Sequence, residues 1–135
     1  MKVLTIREPW ASLIGCRVKK IETRSWATSY RGELYIHAGV HKLSEKDERA
    51  YRLSHHISGH TLHYGEIFIK CNLVDCVKID AEYAEKVKKE DPLNYECGNY
   101  TLGRYAWILT DIEYITPIPA KGRLSIWNYN ENEQC

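Results

Sequence analysis

Period-two runs at residues 20–26, 33–40 and 66–79, with a further long strand at 104–115 and short helical stretches between, predict an α+β fold with a mainly antiparallel sheet that curls on itself. Residues 33–40 set Leu34, Ile36, Ala38 and Val40 against Glu33, Tyr35 and His37, as a half-buried strand does. Residues 66–79 and 104–115 read as two further strands, both longer than the average strand. Long strands coil when packed on themselves, so a small closed or partly open barrel with about three short flanking helices is the natural arrangement.

The elements follow in order. Residues 3–6 form a first strand, and Pro9 suits the first turn of a helix on which Trp10, Leu13 and Ile14 share a face, ending within residues 15–17. Residues 20–26 return to period two, with Ile21, Thr23 and Ser25 on one face and Lys20, Glu22, Arg24 and Trp26 on the other. Ser44 and Asp47 mark the start of a second helix, with Ala50, Tyr51 and Leu53 as its buried stripe, and residues 55–63 read as a loop. Within residues 66–79, Ile67, Ile69, Cys71 and Leu73 alternate and the pattern resumes at Val77, which predicts a bulge near Val74 and Asp75. Asp80 caps a third helix carrying Tyr83 and Val87, closed by Asp91 and Pro92, and residues 90–103 read as a loop. Pro117 and Pro119 predict a turn before a last strand at residues 124–129. Leu34, Ile36, Ile67, Ile69, Leu73 and Ile108 are expected in one core, joined by Trp107 and Trp127.

At 135 residues the chain suits one domain, placed at residues 1–130 with a short polar tail at 131–135. Hydrophobic content of 44% against 27% charged excludes a disordered chain. Residues 1–6 lead into Arg7-Glu8-Pro9 rather than an apolar stretch, so no export signal is expected, and no run is long enough for a membrane span. Five cysteines without a CxxC pair fit reduced thiols in a cytoplasm, and a monomer is the favoured state. The net charge of +1 hides an asymmetry: residues 1–31 carry seven basic groups against two acidic ones. Such a block is either a solvated edge or a face that attracts phosphate.

Ile6-Arg7-Glu8-Pro9-Trp10-Ala11-Ser12-Leu13-Ile14, then Lys19-Lys20-Ile21-Glu22-Thr23-Arg24-Ser25-Trp26, then Tyr30-Arg31-Gly32 running into Ile36-His37-Ala38, resemble the ASCH domain family and its GxKxxExR signature. Leu73-Val74-Asp75-Cys76-Val77, Gly103-Arg104-Tyr105-Ala106-Trp107 and Pro117-Ile118-Pro119 through Gly122 to Trp127 extend the resemblance over nearly the whole chain. Arg17 stands where the signature has its glycine, with Gly15 close by. Signature spacing selects Lys19 for the cleft and strand alternation selects Lys20, so both are candidates. The resemblance implies a PUA-like β-barrel with a cleft between the first helix and the signature strand, holding RNA or a base or nucleoside derived from it. Some family members are similar to amidohydrolases of acetylated cytidine, and others to nucleases.

The candidate binding residues are Trp10, Lys19, Lys20, Glu22, Arg24, Trp26, Arg31, Arg104 and Tyr105. Lysine and arginine suit phosphate, glutamate accepts from an exocyclic amine, and indole rings stack on bases. A salt-bridged strand face and buried core aromatics are the plainer alternatives. If the protein is instead a hydrolase, Glu22 would be general base and Lys19 would stabilise the oxyanion. In the amidohydrolase-like members, the resemblance places a threonine nucleophile where this chain has Glu22, and Thr23 is expected on the opposite face. A protein-interaction module is a third reading, marked by an apolar patch rather than a charged cleft. His37 suits a hydrogen-bonded structural role. His56, His60 and His63 have metal-like spacing but are interrupted by Gly59, so neither a metal nor another cofactor is expected.

Overall fold

The structure, a computed structural model, describes residues 1–130, and the tail expected at residues 131–135 lies outside the described residues. In chain order the elements are β1 (Lys2–Ile6), α1 (Trp10–Gly15), β2 (Ile21–Arg24), β3 (Gly32–Ala38), α2 (Glu48–Ser54), a 3-10 turn (His55–Ile57), β4 (Glu66–Lys78), α3 (Ala81–Glu90), α4 (Pro92–Glu96), β5 (Tyr105–Pro119) and β6 (Ile126–Asn128). The strands form one sheet in the order β2-β5-β4-β3-β1-β6. Every pairing is antiparallel except β1 with β3. The sheet curls into a half-barrel of the α+β, PUA-like type expected.

Several elements differ from expectation for local reasons. Residues 92–96, read as loop, form α4 because Asp91 accepts the Asn94 amide at 3.2 Å while Pro92 takes the first turn, so one residue closes α3 and opens the next helix. The start of α2 is Asp47, not Ser44, and Asp47 Oδ1 accepts the Ala50 amide at 3.1 Å. Pro117 and Pro119 sit in β5 rather than in a turn: β4 pairs with that end, whereas β2 pairs only with residues 105–108 on the other side. A proline that faces an unpaired edge removes no ladder hydrogen bond. The bulge near Val74 is present, between Leu73 and Asp75, and β4 carries two more against β5. β3 stops at Ala38, which leaves Val40 71% exposed.

The six residues expected in one core are divided. Leu34, Ile36, Ile69 and Leu73 pack with Leu4, Ile14 and Phe68 over the concave sheet, Ile67 joins Val3 and Trp127, and Ile108 packs beside Ile21, Val87 and Tyr100 under α3. A coiled sheet has two covered faces, and the bulges in β4 shift side chains from one to the other. Trp107 and Trp127 are buried as expected.

His37 stays on the face of Tyr35, in unbroken register with β1, and is buried because Trp127 and the loop carrying Ala120 cover it; the register shift beside it lies in β4. Its neutral tautomer completes a chain: Trp127 Nε1–H donates to Thr5 Oγ1 (3.0 Å), the Thr5 hydroxyl to His37 Nδ1 (3.2 Å), and Nε2–H to the Ala120 carbonyl (2.7 Å). This ties β1, β3 and β6 to the loop after β5. Burial pushes the His37 pKa below its ordinary value. The unfolded chain therefore binds the proton more readily, and stability present above about pH 6.5 is lost as the pH falls toward the lower folded value. Urea midpoints measured between pH 7.5 and 5 should decline over that window in the native protein, with a shallower decline in His37→Asn.

Candidate functional site

The Lys19 position is set by the end of α1. Arg17 adopts a left-handed conformation at φ 61°, the Arg17 amide donates to Ile14 O, and the Val18 and Lys19 amides both donate to Leu13 O. Glycine takes this conformation at least cost, which is the physical reason for glycine at this place in the signature. Here arginine occupies it and anchors the turn by donating from Nη2 to Ile112 O at 2.7 Å.

The turn carries Lys19 inward and Lys20 outward. Lys19 is 1% exposed and Nζ lies 3.3 Å from Glu22 Oε1 and 3.2 Å from Cys97 O. Lys20 precedes β2, so strand alternation does not reach it. The Lys20 amide donates to Asn94 Oδ1 and its ammonium pairs with Asp91 at 2.6 Å, away from the cleft. Signature spacing therefore identifies the inward lysine, and alternation misassigns it.

Glu22, 7% exposed, sits between two cations. Arg24 reaches Oε2 with Nε (2.9 Å) and Nη2 (2.8 Å), and Nη2 also donates to Thr5 O, which bridges β2 to β1. Gly98 lets the loop after α4 lie against β2: a Cβ there would meet Tyr100 Cε1 at 2.7 Å and Thr23 Cγ2 at 3.2 Å. The same loop presents Cys97 O to Lys19.

These groups border an open cavity of about 620 Å³, between the start of α1, the end of β1, β2 and the residue 97–99 loop. Among the described residues, the lysine and arginine side chains of Arg7, Lys19, Arg24, Arg49 and Arg104 line it together with His41, and Glu22 is the sole carboxylate. Arg7 pairs with Asp47 at 3.0 Å, and the Ala50 amide followed by Arg7 holds the Asp47 carboxyl below the usual carboxylate range. Arg104 Nη2 donates to Thr23 O at 3.2 Å. Nε of Arg7 and Nε of Arg104 are buried and donate to no acceptor among the described residues. Buried donors of this kind carry a large desolvation cost.

Trp10 lines the cavity half-buried, with the guanidinium carbons of Arg7 and Arg49 at 5.6 and 5.9 Å from its ring centroid. It supports two arginines by cation–π contact. Of the other candidates, Trp26, Arg31 and Tyr105 lie away from the cavity lining. Trp26 meets Trp107 edge-on at 4.7 Å, Arg31 donates to Thr28 O and Tyr30 O and lies 3.7 Å from Asp75, and Tyr105 packs against the main core. Thr23, expected to face away, borders the cavity too, but its Oγ1 accepts the Asn99 amide at 2.9 Å. Cys97 also borders it, and burial pushes its thiol pKa up, which leaves it a poor nucleophile at neutral pH. His63 pairs with Glu66 at 3.1 Å and stacks on Phe68, while His60 lies beside Cys16.

The basic block at residues 1–31 thus contributes only Arg7, Lys19 and Arg24. Arg7, counted in the basic block but not among the candidates, Arg49 on α2 and Asn99 in the loop are cavity residues the sequence does not single out, since no local pattern marks them and only the return of α2 over α1 brings Arg49 to the rim.

A family model for the ASCH domain matches residues 4–119. The chain belongs to the ASCH domain family. The ASCH domain is a PUA-like, RNA-binding type of fold, and the half-barrel with short helices accords with it. Activating signal cointegrator 1 of Homo sapiens is 28% identical over 130 residues, covering 92% of this chain and 21% of that protein. Activating signal cointegrator 1 of Mus musculus is 27% identical over the same shares. This ASCH domain therefore spans about a fifth of the length of these curated relatives. Among the described residues, no helix is long and apolar enough to cross a membrane.

Proposed function

We propose that this ASCH domain binds RNA, or a nucleotide derived from it, in the cavity between α1 and β2. One observation carries the reading: five lysine and arginine cations drawn from separate parts of the chain converge on a cavity to which, among the described residues, one carboxylate contributes. Glu22 is already held by Lys19 and Arg24, so the guanidinium groups of Arg7, Arg49 and Arg104 that line the cavity set the character of the opening. They suit the oxygens of a phosphate. Cys16, Cys71, Cys76 and Cys97 are free thiols, consistent with a reducing, cytoplasmic setting as part of the proposal.

The test is fluorescence anisotropy of a labelled random-sequence single-stranded RNA across a salt series. Three to five neutralised phosphates should give a log–log slope of about −2 to −3.5, because each phosphate contact on a single strand contributes about −0.7. Affinity unchanged between low and moderate salt would rule out this mode. Hydrolysis is tested in parallel with acetylated cytidine and with RNA. Turnover present in the native protein and abolished in Glu22→Gln would replace the binding reading with the hydrolase one.

A further inference from the structure

We infer that the natural ligand is a phosphodiester-linked strand rather than a single nucleoside or mononucleotide, with one nucleotide in the main cavity and the sugar-phosphate of its neighbour in a second, adjoining cavity. The inference rests on the RNA reading above and narrows it. The second cavity, of about 360 Å³, lies across the residue 98–99 backbone from the first, and Arg49, Gly98 and Asn99 border both.

Arg49 stands at the junction. Its Nη2 donates to Glu96 O at 2.8 Å and Gly98 O at 2.7 Å, which fixes the guanidinium on the loop. Trp10 lies near the same group from the side of the first cavity. Among the described residues neither Nε nor Nη1 has a hydrogen-bond acceptor, so single charged N–H donors on either edge of the guanidinium remain where a linking phosphate would cross from one cavity to the other.

The walls of the second cavity indicate which part of the neighbour it takes. Tyr95 and Tyr100 are stacked on one another at 4.8 Å, and Lys88 Nζ lies 5.9 Å from the Tyr95 ring centroid. Tyr100 is itself buried. These rings are therefore engaged by the protein and offer a base little open face. The remaining lining is polar. Asn99 Oδ1 accepts from the Thr101 amide (3.1 Å) and hydroxyl (2.6 Å), which orients the Asn99 amide and leaves Nδ2 to donate, while Thr101 Oγ1 can still accept. Such a set suits ribose hydroxyls and phosphate oxygens, so the second nucleotide is held without regard to its base.

The experiment is competition against a labelled random-sequence RNA octamer, using nucleoside 3′,5′-bisphosphates, mixed-base 5′-phosphorylated dinucleotides, and dinucleotides whose linkage is an uncharged methylphosphonate. The dinucleotides should compete at least tenfold better than the bisphosphates, and the methylphosphonate should lose that advantage. Thr101→Val and Arg49→Gln, each checked for native melting, should bring the ratio within threefold. Equal competition by bisphosphate and dinucleotide in the native protein overturns the two-cavity inference while leaving the RNA reading standing, as does a ratio that survives both substitutions. An octamer that does not bind overturns the RNA reading and this inference with it.

Discussion

Arg24→Ala combined with Arg104→Ala is expected to weaken RNA binding about a hundredfold or more. Both guanidinium groups border the main cavity, and a hydrogen bond to a charged group contributes about 1.5–3 kcal/mol. Two such losses give about 3 kcal/mol at the least, which is more than a factor of one hundred in Kd. The salt slope should also become shallower by about 1.4, corresponding to two phosphates on a single strand. The loss should be similar for every RNA sequence, since phosphate contacts position a strand and base contacts specify it. A loss confined to one sequence would show that these arginines read bases. Glu22 keeps Lys19 as partner in the double variant, so melting curves should separate a binding defect from a folding defect.

Lys19→Met is expected to destabilise the fold by about 3 kcal/mol. Removing one member of a buried ion pair leaves the other charge uncompensated, at a cost of about 3–5 kcal/mol, and the lower end applies because Arg24 still reaches Glu22 Oε2. The Cys97 carbonyl also loses its donor, which loosens the residue 97–99 loop. Urea denaturation should show a lower midpoint with an unchanged m-value. Lys19→Met with Glu22→Gln should recover part of the loss, because the stranded carboxylate is then neutral. A Lys19→Met protein as stable as the native one would mean that the buried pair contributes nothing net.

The two expectations separate roles that look alike in the sequence. Lys19, Glu22 and Arg24 all belong to the signature, yet Lys19 and Glu22 are almost inaccessible, while Arg24 keeps a partly exposed guanidinium at the cavity. Much of the signature therefore builds the floor of the site, and residues outside it supply the rim.

Periodicity alone determined that this chain makes long antiparallel strands with short helices between them, because alternation of apolar residues is a local property of an extended chain with one covered face. The same local logic located the bulge near Val74 and the cap at Asp80. Signature spacing identified Lys19, and the left-handed turn at Arg17 is the reason that spacing succeeded where alternation selected Lys20. Other features depend on distant partners. The prolines of β5 are tolerated because β2 ends its pairing at residue 108, His37 is buried because the Ala120 loop and Trp127 close over it, and the parallel pairing of β1 with β3 has no local marker. The charge of the site is decided in the same way. Arg7, Arg49 and Arg104 are far apart in the chain and meet only when α2 and the residue 97–99 loop fold over α1 and β2, so tertiary packing turns a nearly neutral sequence into a positively charged cavity.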